Sequence, residues 1–131
     1  MLNFNSILVF SENPEELATF YEKVFDKKPE MKMEGYTGFQ IGVGWITIGP
    51  HDKVKGKSNN PERIMFNLET EDVKGEFNRI KELGAEVIAD PYGDEEKPME
   101  EGGGLVATFA DPDGNYFQLM SPMPMPEKNE G

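Results

Sequence analysis

Histidine occurs once in the 131 residues, at position 51, and cysteine not at all. Those two facts decide most of the chemistry available. Without thiols there are no disulfides, no thiolate metal sites and no cysteine nucleophile. A Ser–His relay has one imidazole to draw on, and that imidazole follows Gly49 and Pro50, which end the apolar run before it. A lone loop histidine reads as a solvated surface residue, and with Glu69 beside it there would still be only two donors for a metal. Glu69 and Tyr116 are the remaining acid/base candidates. Gln118 stands out because it is polar in the middle of "NYFQLM", which alternates like a strand. It either stands where a metal-binding carboxylate would, or lines a pocket. Asp111 and Asp113 belong to the turn "DPDGN", which is reason enough for both. "EGGGLV" leads into a strand rather than a helix, so it reads as a flexible hairpin or lid and not as a phosphate cradle.

Composition narrows the class further. Lys plus Arg number 13 against 25 Asp plus Glu, a net charge of 13 − 25 = −12. That field repels a phosphate backbone and argues against nucleic acid. It serves solubility, or it attracts cationic small molecules, and charge alone does not separate the two. The hydrophobic share of 37% fits one folded domain. No apolar run reaches membrane-spanning length and no secretory leader pattern opens the chain, so no membrane contact and a cytoplasmic location are expected.

The elements that would position these residues come in two sets. "FNSILVF" (4–10) reads as a strand, and "SENPEEL" as a helix start with Asn13 as N-cap, Pro14 at the first position and Glu16 completing a capping box. Leu17, Phe20, Tyr21, Val24 and Phe25 fall on one helical face. Strand candidates follow in "PEMKME", "TGFQIGV" and "WITIGP". After an aperiodic linker, 51–62, the pattern starts again with "RIMFNLE". A second helix is capped by Asp72, striped by Val73, Phe77, Ile80 and Leu83, and closed by Gly84. The strands "AEVIADP", "GLVATFADP" and "NYFQLMSP" complete the set. Asn13 and Asp72 are 72 − 13 = 59 residues apart, as are Val24 and Leu83. The chain is therefore read as one domain, 1–131, of two βαβββ repeats at about 4–50 and 63–122, with a frayed tail, 123–131. Each repeat has an apolar sheet face it cannot bury alone, so two paired units leaving a cup are expected.

The repeat, together with "FYEKVF", "IMFNLETEDV" and "FADPDGNYFQLMSP", resembles the vicinal oxygen chelate superfamily of glyoxalases, bleomycin-resistance proteins and extradiol dioxygenases. The resemblance covers 4–122 and implies an α+β fold of tandem βαβββ units whose mixed sheets form a cup-shaped half-barrel. Metal-using members carry His or Glu ligands on four cup-facing strand positions. Transferred by motif, these fall on Ser6, Thr47, Met65 and Gln118, and 65 − 6 = 59 agrees with the helix offset. None is an imidazole or a carboxylate, so no metal and no other cofactor are expected.

Strand alternation extends the cup-facing set from those positions. Phe10 shares a face with Ser6, Trp45 with Thr47, Asn67 and Glu69 with Met65, and Tyr116 with Gln118. The opposite positions are uniformly apolar. A lining of aromatic, amide and hydroxyl groups suits a small, partly aromatic organic ligand; the same residues would also fill a collapsed cup. Glu69, if it faces inward, needs a cationic partner or solvent. The expected function is metal-free binding of a small organic molecule, cationic or aromatic, in the manner of bleomycin-resistance proteins. The alternatives are an enzyme of the same superfamily, a lyase, isomerase or dioxygenase, working without metal or with an unrecognised metal site, and an interaction module with an empty cup. The resemblance also implies a homodimer.

Overall fold

A computed structural model describes residues 1–123. Apart from Met123, the tail expected to fray lies outside the described residues. The element order is β1 (Ser6–Ser11), α1 (Pro14–Phe25), β2 (Met31–Met33), β3 (Tyr36–Ile41), β4 (Gly44–Pro50), β5 (Phe66–Glu69), α2 (Val73–Glu82), β6 (Glu86–Asp94), β7 (Gly104–Ala110) and β8 (Tyr116–Met120). The strands form two four-stranded sheets, ordered β1-β4-β3-β2 and β5-β8-β7-β6. In each, the outer strand before the helix pairs parallel to the last strand, and the other pairings are antiparallel. The fold is α+β with mixed sheets, built as βαβββ twice.

By Cα proximity the described chain forms two compact units: residues 1–59 with 111–114, and residues 60–110 with 115–123. The first unit buries Leu17, Tyr21 and Val24 of α1 with Phe39, Ile46 and Ile48 of its sheet. Phe25 meets Phe39 edge to face at 5.2 Å and stacks on Tyr21 at 5.3 Å. In the second unit Val73, Phe77 and Ile80 of α2 are buried with Phe109, Phe117 and Leu119. Phe77 touches Phe109 at 5.1 Å, and Phe109 stacks on Phe117 at 5.6 Å. Each such ring or aliphatic chain contributes about 1.5–3 kcal/mol on burial.

The helix ends differ from one another and in part from expectation. Asp72 accepts a hydrogen bond from the Gly75 N–H at 2.9 Å, a side-chain cap three residues into α2. Asn13 makes no side-chain cap; its own N–H donates to Ser11 Oγ at 2.9 Å. Leu83, expected in the buried stripe, is the C-cap and is 44% exposed, and Gly84 after it takes φ +94°. Pairing in the first sheet begins at Ser6, leaving Phe4 88% exposed.

Candidate functional site

Register sorts the side chains of the first sheet. Ser6 lies opposite Trp45 and Leu8 opposite Thr47, while on the other side Thr47 faces Gly38 and Trp45 faces Gln40. Ser6, Leu8, Phe10, Trp45 and Thr47 therefore share one face, and Ile7, Val9, Ile46, Ile48 and Phe39 share the face under α1. Two glycines shape the mixed face. The Tyr36 ring occupies the place a Gly49 side chain would take. A Cβ at Gly38 would meet Met31 at 3.2 Å and Trp45 at 3.5 Å. Rings thus lie against bare backbone, with Trp45, Thr47, Tyr36 and Phe10 all half-buried.

His51 is an exposed loop residue, as read from sequence, and its ring edge also packs on Phe10 at 5.2 Å and 69°. Its Nδ1 lies 3.1 Å from the Lys53 N–H and 3.4 Å from Asp52 Oδ1. Tyr36 and His51 were both missing from the expected set. The absence of a side chain at Gly49, two residues beyond Thr47 on the same face, was the signal for Tyr36; nothing in the sequence pointed to the Phe10–His51 contact.

In the second sheet Asn67 lies opposite Gln118, and Gln118 opposite Thr108. Glu69 lies opposite Met120, and Tyr116 opposite Ala110. Asn67, Glu69, Tyr116 and Gln118 share the mixed face, as expected. Met65 falls one residue before β5 and is 39% exposed. The pairs Leu8–Thr47 and Asn67–Gln118 are repeat equivalents, since 67 − 8 = 59, so Thr47 and Gln118 hold corresponding places.

Gln118 has structural work of its own. Its Nε2 donates to Thr108 Oγ1 at 3.0 Å, and Thr108 is 5% exposed. A hydroxyl buried in mid-sheet needs that partner. Glu69 is exposed on that face, and its Oε2 accepts the Met123 N–H at 3.2 Å. Solvent and a backbone donor satisfy it, so it makes no demand for a cation. No three His, Asp or Glu side chains gather as a metal group among the described residues.

A buried phenol lies under the first helix. Tyr21 is fully buried, and its hydroxyl donates to Asp111 Oδ2 at 2.6 Å. Burial first, then the charge and hydrogen bond of Asp111, push the Tyr21 pKa well above its ordinary value. Asp111 Oδ1 accepts the Asp113 N–H at 2.9 Å, and the Asp113 carbonyl accepts the Ser58 N–H at 2.8 Å. The turn is a structural anchor, as its residue types suggested.

Comparison with known proteins agrees with this architecture. Residues 6–120 match the family described as glyoxalase-like domain. The chain is 26% identical over 121 residues to the metallothiol transferase FosB of Bacillus licheniformis, covering 91% of this chain and 75% of that one. A glyoxalase/bleomycin resistance protein/dioxygenase family enzyme from Burkholderia phytofirmans superposes with TM-score 0.70 at 17% identity, over 93% of this chain and 100% of the other. The fosfomycin resistance protein FosX from Listeria monocytogenes superposes with TM-score 0.60 at 24% identity, over 94% and 93%.

Proposed function

Because the chain belongs to the glyoxalase-like domain family of the vicinal oxygen chelate superfamily, we propose that it binds a small, partly aromatic organic molecule on the mixed faces of its sheets, without a resident metal ion. The observation that carries this reading is the first sheet's mixed face. Phe10, Tyr36 and Trp45 offer ring surface, two glycines keep the backbone bare beneath Tyr36 and Trp45, and Thr47 supplies a hydroxyl. Aromatic surface with a few fixed polar groups is the usual make-up of a small-molecule site. Asn67, Tyr116 and Gln118 supply the same mixture on the second sheet, where the Gln118 Oε1 has no hydrogen-bond partner among the described residues and is available to accept.

The donor set does not fit a divalent transition metal. Ser6, Thr47, Met65 and Gln118 bring two hydroxyls, a thioether and an amide, and none offsets the dehydration of such an ion as imidazole or carboxylate does. The Gln118 amide is moreover held by Thr108, and the His51 Nδ1 is engaged by a backbone donor.

Trp45 is the only tryptophan, so its fluorescence reports on the proposed face. Titration with quinoline and with N-methylquinolinium is expected to quench it saturably, and saturation should raise Tm, since a ligand of the native state stabilises it. Strictly linear quenching with no change in Tm for either compound would overturn the reading. The net charge of −12 favours the quinolinium.

A second reading is an enzyme of the same fold, favoured by the likeness to a protein named as a transferase over 91% of the chain. Tyr116 and Glu69 on the second sheet, and Tyr36 on the first, are groups on the mixed faces able to exchange protons. Transfer of an added thiol to fosfomycin, lost in Tyr116→Phe or Glu69→Gln, would favour it. Turnover lost on adding a chelator would instead overturn the metal-free assignment.

A further inference from the structure

The two repeats differ most where the middle strands turn. Between β2 and β3 the chain needs only Glu34 and Gly35, whereas between β6 and β7 it spends residues 95–103, including a 3-10 turn over Met99–Glu101. That longer connection is internally built. Glu96 N–H donates to Asp94 Oδ1 at 3.0 Å, and Gly104 N–H to the Lys97 carbonyl at 2.8 Å. Lys74 in the first turn of α2 reaches across to it, holding both Glu95 oxygens at 3.0 Å. The result is an open groove of about 710 Å³ walled by the start of α2, the connection, and the adjoining ends of β7 and β8.

This groove is separate from the mixed face. Leu105 and Ser121 line it, and by alternation they belong with Phe109 and Phe117 on the side covered by α2. Its apolar surface comes mainly from Pro98, Met99 and Pro122, with Val73 and Leu105 buried beneath at 3% and 8% exposure. Met99 is seated against Gly104, where a Cβ would meet its sulfur at 3.0 Å. Among the charged groups on the rim, Asp72 is committed to its helix cap and Glu95 to Lys74. Glu71 and Glu96 have no partner among the described residues, and neither has the Lys97 ammonium, so the uncommitted charge is one negative in excess.

We propose that this groove is a second small-molecule site, and that it takes a primary alkylammonium: an apolar body on Pro98, Met99 and Pro122 with the cationic head at Glu71 and Glu96. A volume of about 710 Å³ lies within the usual range for such sites. The carboxylates attract an ammonium by charge, and the acidic chain as a whole steers cations inward. The site stands independently of the mixed-face reading.

The test is an amide NMR titration of the full chain with 3-methylbutylammonium, alongside 3-methylbutanol and 4-methylpentanoate. The ammonium should shift the amides of residues 71–74, 95–99, 104–105 and 121 saturably, and leave Trp45 fluorescence unchanged. The alcohol and the carboxylate should bind at least about tenfold more weakly. The exposed Glu71→Gln, Glu96→Gln double variant should weaken the ammonium by a similar factor while keeping Tm. Diffuse or non-saturating shifts would overturn the site, and equal binding of the alcohol, or an unaffected double variant, would overturn the ligand class.

Discussion

Tyr21 and Gln118 show how single polar groups are held. The Tyr21 hydroxyl is buried against Asp111, and its raised pKa means the folded state keeps this proton more tightly than the unfolded chain does. The contribution is therefore whole below the ordinary tyrosine pKa of about 10 and is lost as pH rises through the higher folded value. Tyr21→Phe should cost about 1–3 kcal/mol in urea denaturation at neutral pH, because a buried acceptor loses a donor. The variant should also show a shallower loss of stability above about pH 10. A neutral-pH stability equal to wild type would show that Asp111 needs no such donor. Gln118→Leu strands the Thr108 hydroxyl and should cost about 1–3 kcal/mol by thermal denaturation. That position was conspicuous in the sequence, but its role was not, because a cross-strand hydrogen bond depends on which residue of β7 lies opposite.

At the scale of elements, both helices and all eight strands were legible, because the 3.6-residue stripes and the alternating runs are long and punctuated by glycine and proline. The ends were less so. Asn13 and Asp72 look alike as caps, yet only Asp72 bonds into its helix, since Ser11 Oγ takes the Asn13 N–H and the Asn13 side chain makes no cap. Asp72→Ala should accordingly lower stability by about 1 kcal/mol, and Asn13→Ala by far less. Equal losses in parallel melts would contradict the assignment. The strand expected to end at Pro91 runs on to Asp94, with register shifts between Val87 and Ala89 and between Ala89 and Tyr92. An edge strand tolerates proline because one side of it has no ladder to break, and β6 is at the edge of its sheet. The mixed faces followed from alternation, while Tyr36 over Gly49 required knowing that β3 lies beside β4.

For the whole molecule, the dominant quantity is charge. A formal −12 on 131 residues repels itself, and ion pairs such as Lys28–Glu22 and Lys74–Glu95 lie on the surface. Surface pairs of this kind contribute little each. Raising sodium chloride from about 10 to 150 mM shortens the Debye length to about 8 Å and should stabilise the fold, by about 1 kcal/mol and a few degrees in Tm. A Tm that falls with salt would mean that attractive pairs outweigh the repulsion. No helix among the described residues is long and apolar enough to cross a membrane.

The sequence repeats itself, but it does not divide. Residues 111–114 stand late in the chain and yet are grouped in space with residues 1–59, where Asp111 receives the Tyr21 proton donor and Asp113 the Ser58 amide. Expressed by itself, a front half ending near Asn59 would lose the carboxylate to which its buried phenol donates. Scission at the linker, tempting for anyone wishing to study one copy of the duplicated motif, removes a part that only the far end of the polypeptide supplies.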